Sequence, residues 1–141
     1  MPFDPTYQAQ IQTQQGARIM ATGPLAVMDM SQTPASQIMQ SSADGLTAKA
    51  GGGQAGATPL LFEFNRVTTV ATLNDSVLLP AAIAGVQLFV ANAGSLGMNV
   101  FPSGTDQINA LGASAAFAVA SGKSVQFYSA KNGQWHTILS A

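Results

Sequence analysis

Along residues 75–102, DSVLLPAAIAGVQLFVANAGSLGMNVFP, apolar residues come in short runs closed by Pro, Gly or Asn, and none is long enough for a helix. Consecutive β-strands follow from that spacing. Val86, Leu88 and Val90 share one face of such a strand, Gln87, Phe89 and Ala91 share the other, and Asn92-Ala93-Gly94 stops it. Both faces are apolar enough to be covered, which suits a strand inside a sandwich or barrel. The same pattern continues from residue 60 to 141. It predicts strands near residues 60–72, 76–80, 86–92, 97–102, 115–120, 123–130 and 134–139, with a short extra one near 107–111. Turn signals separate them at Asn74-Asp75, Pro80 with Gly85, Asn92 to Gly97, Pro102 to Gly104, Gly112, Ser121-Gly122 and Lys131-Asn132-Gly133. At the last of these, Val125, Phe127 and Ser129 alternate with Gln126 and Tyr128, an Asn-Gly loop follows, and Trp135, Thr137 and Leu139 alternate on the return. Seven or eight short antiparallel strands in about 80 residues predict an all-β fold, an antiparallel β-sandwich or jelly roll. Its expected core anchors are Leu79, Val86, Leu88, Val90, Val100, Val125, Phe127 and Trp135.

Residues 1–57 read differently, being rich in Gln, Ala, Ser, Met and Gly and poor in aromatics. In Tyr7-Gln8-Ala9-Gln10-Ile11-Gln12-Thr13-Gln14, Gln takes every even position while Tyr7, Ala9, Ile11 and Thr13 line the odd face. Such a segment suits an extended arm laid along another chain's sheet edge, and a solvated Gln-rich tail is the plainer reading. Residues 18–30 contain Ile19, Met20, Leu25, Val27, Met28 and Met30, broken at Gly23-Pro24, with Met39 further on. Soft, unbranched Met fits either an adaptable binding surface or a segment packed back on its own β-domain. The expected partner-contacting residues of this arm are Tyr7, Ile11, Ile19, Met20, Leu25, Met28, Met30 and Met39. Asp44-Gly45 and the Gly-rich run 51–56 read as turns and a flexible connector. The expected division is therefore an arm and linker over 1–57 and a β-domain over 58–141.

Composition sharpens this picture in one respect. Only 8% of the 141 residues are charged, against about 25% in an ordinary soluble domain. A surface with so little charge is expected to be covered by other protein. The net charge is -1, and the five basic residues, Arg18, Lys49, Arg66, Lys123 and Lys131, are scattered, which argues against a nucleic-acid partner. No run approaches the roughly 18 apolar residues of a membrane span, so no membrane partner is expected. The start, MPFDPTYQAQ, shows neither the basic region nor the apolar core of a secretory signal. With no Cys, disulfides, thiol nucleophiles and thiolate metal sites are excluded.

Candidate chemistry is sparse. His136 is the single histidine, so a triad or a multi-His metal site has one imidazole to draw on, and a surface position on the last hairpin is the expected one. Asp75, Asp106 and Glu63 are the carboxylates of the β-domain, and the two Asp sit beside turn residues where Asp caps backbone amides. A glycosidase-like carboxylate pair is the competing reading. Gly51-Gly52-Gly53 lacks the Lys-Ser/Thr that a phosphate loop needs. Trp135 and Tyr128 form either a sugar-stacking platform or, for Trp135, the largest core anchor. No catalytic function, cofactor or metal is expected.

The β-domain also carries a recognisable cadence: DSVLLP at 75–80, AGVQLFVANAG at 84–94, Val100-Phe101-Pro102, Asp106-Gln107-Ile108-Asn109, SGKSVQF at 121–127 and Gly133-Gln134-Trp135. It resembles a module that recurs in tailed-phage virion proteins, and with the 14.4 kDa size the chain looks like a phage head cement (decoration) protein of the jelly-roll kind. The resemblance covers about residues 70–140 and implies a protein on the outer surface of the virion capsid, where it cements neighbouring major capsid protein subunits. It also implies self-association, expected here as a homodimer with a trimer as the alternative. A receptor- or glycan-binding head fibre or tail module is the alternative function.

Overall fold

The structure, a computed structural model, describes residues 41–141, and in them the short apolar runs become ten strands and no helix. They are β1 (Ser42–Thr47), β2 (Thr58–Pro59), β3 (Phe64–Thr69), β4 (Asp75–Leu78), β5 (Gln87–Asn92), β6 (Met98–Phe101), β7 (Gln107–Ile108), β8 (Phe117–Val119), β9 (Ser124–Lys131) and β10 (Gln134–Leu139). Two sheets hold them, one ordered β1-β3-β5-β9-β10-β7 and the other β2-β4-β6-β8.

The first six strands alternate between the sheets, so each strand meets its in-sheet neighbour only after a full winding of the chain. Strands β1, β3 and β5 consequently run parallel in one sheet and β2, β4 and β6 parallel in the other. Ser42 lies beside Phe64 and Phe64 beside Phe89; across the sandwich Asp75 lies beside Met98. The later strands then close the coil, with β8 antiparallel to β6, β9 antiparallel to both β5 and β10, and β7 parallel to β10. This corrects the antiparallel jelly roll expected from the sequence: the fold is all-β, but five of its eight strand pairs are parallel and the winding is solenoid-like. Period-two alternation reports which side of a strand is buried and is silent on strand direction. Among the described residues the one hairpin is β9–β10, turned at Asn132-Gly133 with Gly133 at φ 82°.

Two boundaries also differ from expectation. The strand expected over 60–72 is shorter, Phe64–Thr69, because residues 60–63, starting at buried Leu60, carry the chain from the sheet of β2 to the sheet of β3. The stretch assigned to the arm and connector also contributes to the sandwich: β1 pairs with β3, Ala48 is buried, and Lys49 exchanges two backbone hydrogen bonds with Ser76. The Gly-rich turn is tied down as well, since Ser76 Oγ donates to Gly53 O at 3.0 Å and Gln54 Nε2 donates to Pro102 O and Gly104 O at 2.6 and 2.8 Å. Among the described residues the first strand, β1 at Ser42–Thr47, already falls within the stretch expected as arm and connector.

One apolar core lies between the sheets. The six-stranded sheet supplies Val67, Leu88, Val90, Val125, Phe127 and Trp135, the four-stranded sheet supplies Val77, Met98, Val100 and Val119, and Leu60 and Leu79 lie beside them. Phe127 meets Phe117 of the opposite sheet edge-on at 5.9 Å and Trp135 at 6.4 Å. This is the arrangement ring quadrupoles favour. Each fully buried side chain of this size contributes about 1.5–3 kcal/mol. Of the expected anchors, Leu79, Leu88, Val90, Val100, Val125, Phe127 and Trp135 are buried, while Val86 is half-buried and packs against them.

Candidate functional site

The polar residues of the sequence cadence turn inward as loop clamps. Asn92 ends β5 fully buried; its Nδ2 donates to Leu96 O and to Val119 O, both at 2.9 Å, and its Oδ1 accepts from Gly94 N at 3.0 Å. Because Val119 belongs to β8, this one amide ties the two sheets together. Asp106 Oδ2 accepts from Ala82 N at 2.8 Å, and Gly133 N donates to Ala82 O. The Pro80–Ala82 loop is thereby pinned to the final hairpin. Asn109, at φ 53°, donates from Nδ2 to Thr137 Oγ1 at 2.8 Å and accepts Thr137 N at 3.1 Å on Oδ1. These residues therefore build the fold and leave little for a ligand.

The surface left over is the outer face of the six-stranded sheet. Strand registers place Ser42, Phe64, Phe89, Gln126 and Ile138 in one row across five strands, with Asp44, Arg66, Ala91 and Ser124 in the next row and Gln87, Tyr128 and His136 on the other side. Phe64 and Phe89 stack at 4.7 Å with planes 5° apart, and Tyr128 meets His136 at 5.4 Å. The 4.7 Å stack equals the strand spacing, so the two Phe rings cover one face of each other and turn their edges outward. Gln126 Nε2 donates to Gln87 Oε1 at 3.0 Å. The charges, Asp44 and Arg66, neutralise each other at 2.8 Å. A shallow depression of about 470 Å³ lies among Ser42, Asp44, Phe64, Arg66, Phe89 and Ser124. Phe64 and Tyr128 are 37% and 38% exposed and Ile138 59%. By contrast, Ser76, on the outer side of the four-stranded sheet, is fully buried beneath the Gly-rich turn.

The residues singled out for chemistry do not converge. Trp135 is fully buried in the core and Tyr128 is on the outer face, so the two cannot form one platform; Tyr128 pairs with His136 instead. Asp75 is enclosed, and its carboxylate accepts from the hydroxyl and the amide of Thr72. Those bonds outweigh burial and hold its carboxyl below the ordinary 3.8. Asp44 is held low by Arg66 and then by Gly45 N–H. Gly51, Gly52 and Gly53 form part of a turn packed on β4 and not a strand-to-helix loop. Among the described residues no three His, Asp or Glu side chains are placed to hold a metal ion, and no helix is long and apolar enough to cross a membrane. Tyr7, Ile11, Ile19, Met20, Leu25, Met28, Met30 and Met39 lie outside the described residues. Sequence reading passed over Phe64, Arg66, Asp44 and Ile138. Phe64 and Ile138 alternate with core positions, but only the register shows that they share a row with Phe89. No family model matches this chain, and neither a curated protein nor a solved structure matches it.

Proposed function

We propose that the chain is a structural virion protein that binds the outer surface of a tailed-phage capsid and cements neighbouring major capsid protein subunits. The observation that carries the protein-binding part is the outer face of the six-stranded sheet. It is aromatic, its charges cancel within one ion pair, and its facing amides bond to each other. Surfaces of that chemistry are completed by packing, because they offer area and shape and leave no group free for a reaction. The virion setting rests on the resemblance of residues 70–140 to the phage module. In this reading Tyr7, Ile11, Ile19, Met20, Leu25, Met28, Met30 and Met39 contact the capsid, and no catalysis or cofactor is involved.

A glycan-binding head fibre is the second reading, and the exposed Tyr128–His136 pair is its evidence. Sugar stacking needs an open ring face, and Phe64 and Phe89 each lose one face to the other. The experiment is to add purified full-length protein to expanded capsids that lack it and image the particles. Ordered density on the outside, bridging adjacent subunits, is expected. Capsids that stay bare, together with binding on a glycan array, would replace the cement reading by the fibre reading.

A further inference from the structure

We propose that the cleft at one end of the fold, beside Phe62, Glu63 and Val86, takes an arginine side chain of the partner protein, with the guanidinium set against the Glu63 carboxylate. The inference rests on the reading of the chain as a capsid-binding protein and names the chemistry of one contact, away from the outer sheet face.

The cleft forms where the chain enters β3 and β5. Buried Leu60 and Leu88 and half-buried Val86 line it, Leu61 and Phe62 stand 75% and 43% exposed beside them, and Glu63 completes the lining. The space is about 300 Å³. That is the low end of small-ligand sites, room for one long side chain and not for a strand or a helix. Of the other polar residues lining it, Ser41 Oγ accepts from Glu63 N at 3.1 Å and Gln87 Oε1 accepts from Gln126 Nε2 at 3.0 Å.

Charge selects the occupant. The described residues hold four carboxylates. Asp44 pairs with Arg66, Asp75 accepts from Thr72, and Asp106 accepts from Ala82 N. The side chain of Glu63 alone makes no hydrogen bond or ion pair with a described residue, yet its backbone is fixed. Its N–H donates to Ser41 Oγ, its carbonyl accepts from Phe89 N at 2.6 Å, and the neighbouring Phe62 carbonyl accepts from Asn65 Nδ2 at 2.6 Å. A fixed carboxylate beside an apolar cleft complements a group with a long apolar stem and a cationic head. A wholly apolar partner would desolvate Glu63 and leave it unpaired, and an anionic one would be repelled. Arginine suits the place better than lysine. Its planar guanidinium is weakly hydrated, meets a carboxylate through two parallel N–H groups, and lies on an aromatic ring such as that of Phe62. Once the cleft is filled, the pair is partly shielded from water and is screened by salt less than an exposed pair.

The test uses the isotope-labelled full-length chain, with a capped pentapeptide carrying one central arginine as probe. Amide resonances of Phe62, Glu63, Val86 and Gln87 should shift and saturate with a dissociation constant on the order of 1 mM, the strength of a single contact. The same peptide with citrulline, which keeps the shape and loses the charge, should bind at least about tenfold more weakly. Glu63→Gln should weaken the arginine peptide by the same factor, and Phe62→Leu, which removes the ring and keeps apolar bulk, by about threefold. Unchanged tryptophan emission shows that each variant has folded. No shift at these amides, equal binding of the arginine and citrulline peptides, or indifference to Glu63→Gln would overturn the proposal. Putrescine binding as tightly as the arginine peptide would also overturn it, marking a polyamine site instead. On expanded capsids that lack the protein, Glu63→Gln should bind at least about fivefold more weakly than the native chain, and equal binding would overturn the proposal. Capsids left bare by the native chain, while the arginine peptide still binds through Glu63, would refute the cement reading and support the cleft.

Discussion

Replacing Asn92 by Ala tests whether the sequence cadence is structural. The substitution deletes three hydrogen bonds, from Nδ2 to Leu96 O and Val119 O and from Gly94 N to Oδ1, at 2.9, 2.9 and 3.0 Å. Each is worth about 1 kcal/mol net, and buried groups left without partners raise the loss. A destabilisation of about 3 kcal/mol is therefore expected, a large part of the about 5–15 kcal/mol that holds a domain together. With a urea m-value of about 2 kcal/mol/M, the midpoint should fall by about 1.5 M at unchanged m. Trp135 is the single tryptophan and is fully buried, so its emission follows the core directly. Asn92→Asp is the sharper variant. It keeps an acceptor for Gly94 N but sets a carboxylate oxygen against two carbonyls, so it should be at least as unstable at pH 7 and recover in part as the carboxyl protonates. A midpoint shift equivalent to less than about 1 kcal/mol for Asn92→Ala would refute the claim that this amide ties the sheets.

The remaining predictions concern acid, truncation and salt. Asp75 has a folded pKa below its ordinary 3.8, so the stability it lends is present above the unfolded pKa and is lost as pH falls through the lower folded value. Thermal melts from pH 6 to pH 2 should steepen below about pH 4 in the native chain and flatten in Asp75→Asn; equal slopes would show that Asp75 is not a source of the acid response. Removing residues 1–40 should leave a cooperative transition, whereas removing 1–50 should abolish or greatly weaken it, because β1, Ala48 and the Lys49–Ser76 pairing go with it. Calorimetry of the two truncations decides this. Capsid occupancy should change less than about threefold between 50 and 500 mM salt, since few charges are available to be screened; a loss of tenfold or more would reveal an electrostatic interface.

Strand positions were largely legible because burial alternates with period two: Leu88 and Val90 turn inward, as do Val125 and Phe127, while Gln87, Phe89, Gln126 and Tyr128 lie on the other side. Strand partners were not. Whether β5 meets β3 in parallel or folds back on β4 depends on where the chain crosses between sheets. That crossing, over residues 79–86 between β4 and β5, carries buried Leu79 and Ala82, two apolar residues among many in the sequence. Composition misled at the Gly-rich run for a similar reason. Glycines permit a flexible linker, but equally the left-handed turn seen here, with Gly51, Gly52 and Gly53 at φ 93°, 61° and 107°. The candidate face was the least legible part, since Ser42, Phe64, Phe89, Gln126 and Ile138 span nearly the whole described chain and become neighbours only through register.

Cryo-electron microscopy of expanded capsids, bare and then saturated with the full-length protein, tests the central claim most directly. Density for the ten-strand fold is expected on the outer surface at junctions between capsid subunits, and saturated particles should withstand heat or chelator better than bare ones. Particles that remain bare at saturating protein, or that bind it without any gain in stability, would contradict it.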